Sequence, residues 1–250
     1  MIDPFALIVG SGFEQLGLKV LTRSPTKTPY GEPSSAVLTV KIGAARCACI
    51  VRHGEGHTLA PHEINYRANL WALHQRGVRA CIGVNTVGAI AAGFVPGDLA
   101  VPDQLIDYTS GRAATFGGAG TPVVHVDFTE PFAPLLRGHL AAASADCGFR
   151  VRGGVYGVTQ GPRLETAAEI DRLARDGCAM VGMTAMPEAV LARELGIDYA
   201  ICAVAVNRAA GCAPDGVLIA GQIERFAGLG MQKVAAVLVR LASRVGRDAM

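Results

Sequence analysis

The sequence lacks a strong net charge of either sign, and this excludes several kinds of partner. Its 250 residues contain 23 Lys and Arg against 21 Asp and Glu, for a net charge of +2. The basic residues are scattered, with no Lys/Arg run and no interleaved aromatic residues of the kind that indicate a nucleic-acid surface. We therefore expect no nucleic-acid partner and a small neutral or anionic ligand.

Long apolar runs and an N-terminal targeting pattern are also absent. The first basic residue is Lys19, so the start of the chain lacks the positive segment of a signal peptide. No uninterrupted apolar stretch approaches the roughly 18 residues of a membrane span. We expect a cytoplasmic protein without a membrane partner.

Cysteine is present without a recognisable framework. The seven cysteines lie mostly inside apolar runs, and no two form a CxxC pair. Cys47 and Cys49 alternate along a predicted strand, which favours ordinary packing over a metal or redox role. The expectation is buried thiols in a reducing compartment, no metal and no cofactor.

The sequence contains a regular alternation of strand and helix patterns. Half of its residues are hydrophobic (50%), and no Pro/Ser-rich linker or repeat divides the chain. From 155 to 206 the patterns follow one another as strand, helix, strand, helix and strand, which is typical of βαβ units in a parallel sheet. We predict one α/β domain over residues 1–250, with a mixed, mostly parallel central sheet flanked by helices.

Further elements are predicted outside this stretch. A helix is predicted from Pro61 to Arg76, because proline is typical of a helix start and Gly77 of a helix end. The stretch Tyr108–Thr121 is rich in Gly, Thr and Ala and is predicted to be a loop or lid. The other predicted elements are strands over 5–9, 37–41, 46–51 and 78–84 and helices over 134–145 and 221–244.

Polar residues follow the predicted strands where these strands end. Ser11, Arg52, His53, Thr86 and Thr184 carry hydroxyl, guanidinium or imidazole groups, and Thr184 also precedes a predicted helix. Ligands of open α/β sheets gather at the carboxyl ends of strands, so this placement predicts a phosphate or carboxylate site. Individually, Arg52 also fits a surface charge, His53 a core histidine and Thr184 a helix cap.

Two more features suit a planar heterocycle. The strand over 199–206 ends at Asn207, whose amide can contact a ring nitrogen and an exocyclic oxygen, although a turn residue closing the strand is an equal alternative. The turn at Gly161 sets Leu164 and Glu165 just before a helix. Leu164 would pack on a base and Glu165 would accept a ring N–H, unless Glu165 only complements the helix N-terminus.

Four motifs occur in a consistent order: Arg52-His53-Gly-x-x-His57, Asn65-Tyr66-x-Ala-Asn69, Thr159-Gln-Gly-Pro-Arg-Leu-Glu165 and Gly182-Met-Thr184-x-x-Pro-Glu188. Together they resemble the trimeric purine nucleoside phosphorylases, in their methylthioadenosine phosphorylase branch. The resemblance runs from Ile8 to about Glu224.

The resemblance implies phosphorolysis, in which inorganic phosphate attacks C1′ of a purine nucleoside and releases the base and a ribose 1-phosphate. Phosphate would be a co-substrate, and the assembly would be a homotrimer. Negative charge grows on the leaving purine, so an N–H from Asn207 would stabilise the transition state. By position, the implied phosphate ligands are Ser11, Arg52, His53, Asn85, Thr86 and Thr184; Asn207 and His53 have catalytic roles, Met183 lies along the ribose and Leu164 against the base.

The residues implied to contact the purine base differ from those of the methylthioadenosine phosphorylase branch. Its adenine-using members carry aspartates where this chain has Asn207 and Ala209, and 6-oxopurine phosphorylases place a glutamate at the position of Glu165 to accept N1–H. Adenine has no proton at N1, and an unpaired buried partner costs roughly 1–3 kcal/mol. The departures therefore favour hypoxanthine as the base.

The sugar end differs from inosine-type relatives. The segment 217–223 is mostly apolar and lacks the histidine that those relatives use for a 5′-hydroxyl, so Leu218, Ala220 and Ile223 are expected to form a 5′-methylthio pocket. His125 matches a position that the branch lends to the neighbouring subunit's site; a free surface histidine is the alternative.

Both ends together predict 5′-methylthioinosine as the nucleoside. The alternatives are a methylthioadenosine phosphorylase, a broader inosine/guanosine phosphorylase, a nucleosidase that uses water, and a catalytically silent nucleoside-binding protein.

Overall fold

The computed structural model of the chain describes residues 5–118, 120, 122–213 and 218–248. Its strands join into one mixed sheet. The strands are β1 (Ala6–Val9), β2 (Lys19–Ser24), β3 (Val37–Ile42), β4 (Ala45–Val51), β5 (Ala80–Ala89), β6 (Leu99–Ala100), β7 (Gln104–Asp107), β8 (Val151–Arg152), β9 (Val155–Val158), β10 (Cys178–Gly182) and β11 (Asp198–Arg208). The helices are α1 (Tyr66–His74), α2 (Pro134–Asp146), α3 (Ala167–Arg175), α4 (Ala185–Glu194) and α5 (Ile219–Asp248).

Alternating side chains of the strands build a core on each face of the sheet. In β1, Ile8 packs in one cluster with residues of α1 and α4, while Leu7 packs in the other with residues of α2 and α5. The period of two along a strand produces this alternation. The fold is therefore the predicted α/β architecture, with a central sheet flanked by helices.

The centre of the sheet is β5, and its pairing creates an opening. Along one edge, β11 runs parallel to β5 from Ala80 to Ala89. On the other edge, β1 pairs in parallel with β5 up to Val84, whereas β10 pairs antiparallel with Gly88 and Ala89. The edge from Asn85 to Val87 therefore lies between the carboxyl ends of β1 and β10, where neither strand covers it.

This pairing corrects the predicted end of one strand. The sequence predicts a strand over 78–84 with Asn85 and Thr86 after it, but β5 continues through both residues to Ala89. The strand continues because Gly88 and Ala89 still have partners in β10 and β11. The polar pair marks an uncovered edge rather than a strand end.

Two other boundaries also differ from the predictions. The helix predicted from Pro61 begins only at Tyr66, because Asn65 is its N-cap and accepts a hydrogen bond from the Ala68 N–H at 3.1 Å. Asn207 lies inside β11, beside an irregularity between Ala205 and Asn207 where the register shifts, rather than after the strand. Helix α3 begins at a capping box formed by Thr166 and Glu169.

The C-terminal helix α5 is unusually long and apolar. Among the described residues, Ile219–Arg244 form the one helix that could cross a membrane by length and composition, with a mean hydropathy of 1.2. Charged residues such as Lys233 interrupt this helix, so the sequence shows no uninterrupted apolar stretch of the same length. Met231, Val234 and Leu238 on its inner face are fully buried in the core beside the sheet, so α5 serves this fold as a packing helix.

We expect two glycines of α5 to respond oppositely to alanine. A Cβ at residue 230 would lie 2.1 Å from Val204 Cγ1 in β11, whereas a Cβ at residue 228 meets nothing within 4 Å. Gly230→Ala should lower the free energy of unfolding by about 1–3 kcal/mol through overpacking. Gly228→Ala should raise it by about 0.5–1 kcal/mol through helix propensity. Urea denaturation measures both, and equal shifts in the two variants would contradict this packing of α5.

Candidate active site

A cavity of about 560 Å³ opens at the uncovered edge of β5. Its walls come from the segments after β1, β4, β9 and β10, from the end of β11 and from the first turns of α5. Eleven residues singled out in the sequence line it: Ser11, Arg52, His53, Asn85, Thr86, Leu164, Glu165, Met183, Thr184, Asn207 and Ile223.

Arg52 is the buried cation of this cavity, with 1% of its surface exposed. Its Nε and Nη2 donate to the two carboxylate oxygens of Glu188, each at 2.7 Å. Burial alone would lower the pKa of Arg52, but the Glu188 carboxylate outweighs it and holds the pKa above its usual value. Nη1 donates to Val84 O at 3.3 Å and lies against Gly10 at the cavity wall, which leaves a second N–H on this nitrogen for a ligand.

Glu188 anchors the arginine and has no free oxygen for a ligand. One oxygen also accepts from the Tyr199 hydroxyl at 2.5 Å, and the side chain is fully buried. The sequence contained Glu188 in a motif without suggesting this role, because only the fold brings α4 against the residue after β4. The bidentate geometry fixes the plane of the guanidinium.

Asn85 links Arg52 to Thr184 across the cavity floor. Its Oδ1 accepts from Arg52 Nη2 at 3.1 Å, and its Nδ2 donates to Thr184 Oγ1 at 3.1 Å. Thr184 precedes α4, but its side chain makes no capping hydrogen bond. Because Oγ1 accepts from Asn85, the hydroxyl proton of Thr184 remains available to donate into the cavity.

His53 has a defined tautomer. Its Nδ1 lies 2.8 Å from Leu59 O, and a carbonyl can only accept, so Nδ1 carries the proton. Burial lowers the pKa of His53 to about 4, against the effect of this hydrogen bond, and the charges of Arg52 and His57 add to the lowering. The ring is therefore neutral near pH 7, and Nε2 is a hydrogen-bond acceptor.

His57 also lines the cavity, and its ring stacks on that of His53 at a centroid distance of 4.4 Å. The turn that carries it has positive φ at Gly54, Gly56 and His57. The residues after it, Thr58 to Pro61, form part of the same wall. The sequence pattern does not indicate residues 58–61 and Glu63 as site residues, because Pro61 and Glu63 fit the start of a helix and no motif distinguishes 58–60.

Asn207 lies at the opposite end of the cavity and is buried. Its Nδ2 donates to Arg208 O at 2.7 Å, and this bond fixes the amide orientation, because the flipped amide would set Oδ1 against a carbonyl oxygen. The second N–H of Nδ2 and the Oδ1 atom of Asn207 remain available for a ligand. Arg208 itself donates to Ala91 O and Phe94 O and so holds this part of β11 in place.

Glu165 and Met183 lie on the walls formed by the segments after β9 and β10. Glu165 accepts a hydrogen bond from the Thr159 hydroxyl at 2.6 Å. Met183 packs on Gly161, where a Cβ would lie 2.4 Å from its sulfur. Leu164 is 46% exposed at the rim.

Four sequence-predicted site residues do not line the cavity. Ala209 is buried in a separate apolar cluster behind Gly88, because its backbone pairs with Ala89. Leu218 precedes α5 and Ala220 lies in its first turn; both are exposed, and the cavity is lined by Ile223 and Ala227 further along the helix. His125 is exposed on a segment away from the cavity. Val217 of the predicted methylthio segment and Ala119 and Thr121 of the predicted lid lie outside the described residues.

Apolar residues complete the walls. Pro162, Val181, Val206 and Ala227 line the cavity, and no sequence signal distinguishes them from ordinary core positions. Within the described ranges, no group of three or more His, Cys, Asp or Glu residues could hold a metal ion.

The buried neutral state of His53 predicts an acid-sensitive stability. The folded pKa is about 4 against a usual value of 6.5, so the unfolded chain binds more protons between these values. The free energy of unfolding should therefore fall as the pH falls from about 6.5 to about 4, by about 1.4 kcal/mol for each unit of pKa difference.

The variant His53→Asn tests this expectation, because asparagine offers Leu59 O an N–H and does not titrate. Urea denaturation across this pH range should give a flatter profile for His53→Asn than for the wild type. His62→Asn, at an exposed histidine, is the control and should keep the wild-type profile. Parallel profiles for all three proteins would contradict the neutral buried state.

Comparisons with known proteins agree with this geometry. A family model described as the phosphorylase superfamily matches residues 4–243. The chain is 51% identical over 210 residues to a "Probable S-methyl-5'-thioinosine phosphorylase" of Xanthomonas campestris pv. campestris, which covers 83% of this chain and 84% of that protein. It is 44% identical over 213 residues to a 6-oxopurine nucleoside phosphorylase of Pyrococcus furiosus, covering 82% of this chain and 80% of the relative.

Comparison with solved structures supports the same family. The structure of a methylthioadenosine phosphorylase from Schistosoma mansoni in complex with adenine matches with a TM-score of 0.90 at 29% identity, covering 99% of this chain and 93% of that one. The resemblance to purine nucleoside phosphorylases found in the sequence is thus confirmed. The chain is an enzyme of the phosphorylase superfamily.

Proposed function

We propose that the enzyme catalyses phosphorolysis of 5′-methylthioinosine to hypoxanthine and 5-methylthioribose 1-phosphate. The observation that carries the choice of base is the buried amide of Asn207, which lines the same cavity as the Glu165 carboxylate. The similarity to proteins named for methylthioinosine and 6-oxopurine substrates supports this choice.

Phosphate would bind at the end of the cavity that contains Arg52. The remaining N–H of Arg52 Nη1 and the hydroxyls of Ser11, Thr86 and Thr184 are donors for its oxygens. His53 would act differently, because its Nε2 accepts: it would take a hydrogen bond from the O–H of hydrogen phosphate and so leave the other oxygens for attack. Asn85 would contribute by orienting Thr184 and Arg52 rather than through its own amide.

The base would lie between Asn207 and Glu165. As the bond from C1′ to the purine breaks, negative charge grows on the leaving base, and the free N–H of Asn207 would stabilise it at N7. Glu165, held by Thr159, would accept the N1–H that hypoxanthine has and adenine lacks. Met183 would contact the ribose and Leu164 the base.

The position of Ala209 changes the specificity argument. It packs behind Gly88 instead of facing the cavity, so Ala209 would not contact the base, and the choice of base would rest on Asn207 and Glu165.

The 5′-methylthio group would lie against Ile223 and Ala227, the cavity-lining residues of α5. Leu218 and Ala220 are exposed and would at most border this pocket. We propose a homotrimer in which His125 of the neighbouring subunit closes the pocket; the exposed Val123 and Val124 beside His125 supply apolar surface for such an interface.

The remaining parts of the proposal concern the chain as a whole. Residues 1–250 would act as one domain in the cytoplasm, in purine salvage, with no cofactor. A broader 6-oxopurine nucleoside phosphorylase is the second candidate, favoured by the 44% identity to the Pyrococcus furiosus enzyme.

The proposal predicts the order of three substrates. With phosphate present, kcat/KM should be highest for 5′-methylthioinosine, lower for inosine, which lacks the methylthio group, and lowest for 5′-methylthioadenosine, which leaves Glu165 unpaired. The loss for the adenine nucleoside should be on the order of tenfold to hundredfold. Preference for methylthioadenosine would contradict the proposed base, and equal use of inosine would favour the second candidate.

The variant Asn207→Asp should shift this preference. A carboxylate at residue 207 repels the negative charge of a leaving 6-oxopurine and, when protonated, donates to N7 of adenine. We expect the ratio of kcat/KM for methylthioinosine over methylthioadenosine to fall by about tenfold or more.

Asn65→Asp is the matched control, because aspartate also caps a helix and residue 65 lies outside the cavity. It should keep the wild-type ratio. An unchanged ratio in Asn207→Asp would show that residue 207 does not select the base.

A further inference from the structure

The stretch that the sequence predicts as a loop or lid contains Arg112, whose two terminal nitrogens are hydrogen-bonded, while its buried Nε has no hydrogen-bond partner among the described residues. Arg112 Nη1 donates to Met183 O and Met186 O, each at 2.7 Å. Its Nη2 donates to Gln160 O at 2.8 Å and is 3.5 Å from Thr159 O. The side chain does not line the cavity, so these contacts lie behind its wall.

The carbonyls around Arg112 belong to two segments that form the wall of the nucleoside site. One follows β9 and carries Leu164 and Glu165; the other follows β10 and carries Met183 and Thr184. The parallel neighbours β9 and β10 bring the two segments together, and the guanidinium supplies donors that carbonyl groups alone cannot offer one another.

A third wall is linked through Tyr66. The guanidinium lies over the Tyr66 ring at 5.7 Å, and Nη1 is 3.4 Å from its hydroxyl. That hydroxyl donates to Pro61 O at 2.9 Å, and Pro61 lines the cavity. One cation thus connects the segments after β4, β9 and β10.

We propose that Arg112 is a positioning residue for the nucleoside: it fixes the relative placement of Glu165, Met183 and the wall at Pro61 without touching the substrate. The segment around it is an internal brace of the site and not a lid. A planar fork with several N–H groups fits carbonyls that converge from different directions, and lysine, with one nitrogen, cannot bridge them.

The proposal predicts different effects on the binding of the nucleoside and of phosphate. Arg52, which would bind phosphate, is held by Glu188, and the Thr184 hydroxyl is held by Asn85, so neither depends on Arg112 alone. Recognition of the base would depend on Glu165, which Thr159 holds by a hydrogen bond. Arg112 donates directly to the segment that carries both residues. Loss of Arg112 should therefore raise KM for the nucleoside more than KM for phosphate.

The test compares Arg112→Ala, Arg112→Lys and the wild type by steady-state kinetics with and without added guanidinium chloride. We expect kcat/KM for the nucleoside to fall on the order of tenfold to hundredfold in both variants, with KM for phosphate changed by less than about threefold. Guanidinium at non-denaturing concentration should restore part of the activity of Arg112→Ala and none of that of Arg112→Lys, whose side chain fills the space.

Arg152→Gln is the control, because Arg152 donates to Gly93 O away from the cavity, and it should keep wild-type constants. Wild-type KM for the nucleoside in Arg112→Lys, or equal increases of both KM values without guanidinium rescue, would overturn the proposal. If Arg112→Ala does not fold, Arg112→Lys and Tyr66→Phe, which removes the link to Pro61, decide it by the same split of KM values.

This inference rests on the proposed function only in requiring a purine nucleoside as substrate. The assay uses whichever nucleoside the wild type turns over best. A wrong assignment of the base or the 5′ group would then appear as a different preferred nucleoside, and a failure of the Arg112 proposal as unchanged kinetics in the variants.

Discussion

The site depends on the buried ion pair of Arg52 and Glu188. A guanidinium with 1% exposure is stable because a carboxylate, the Asn85 amide oxygen and two strand carbonyls, Ile8 O and Val84 O, accept hydrogen bonds from most of its N–H groups. Breaking such a pair costs roughly 3–5 kcal/mol, because the remaining charge is buried without a partner. The pair joins the ends of β1 and β4 and the middle of β5 to α4, so the bond that fixes the cation also fixes the elements around the cavity.

The opening itself is a consequence of sheet pairing. Because β1 and β10 approach the same edge of β5 from opposite ends and stop short of each other, the backbone at Asn85 and Thr86 faces a gap instead of a strand. A cation, hydroxyls and an uncovered strand edge meet there. The proposed phosphate site thus arises from topology as much as from the side chains, while Arg112 and Asn207 would shape the proposed nucleoside end.

The sequence predicted much of this site, for identifiable reasons. Ser11, Arg52 and Thr184 follow strands, and strand ends of this kind meet at one edge of a sheet. Thr86 was found for the wrong reason, since β5 does not end there. Glu188 and Arg112 act through contacts between segments distant in sequence, which periodicity cannot reveal. Leu218 and Ala220 were misplaced because apolar composition does not tell where along the chain α5 begins to line the cavity.

The central claim is that the Arg52 end of the cavity binds the phosphate that attacks the nucleoside. Release of hypoxanthine from 5′-methylthioinosine, measured by chromatography with and without inorganic phosphate, tests it most directly. The account predicts that base release requires phosphate and is matched mole for mole by 5-methylthioribose 1-phosphate. Base release at the same rate in phosphate-free buffer, with free methylthioribose as the second product, would contradict it.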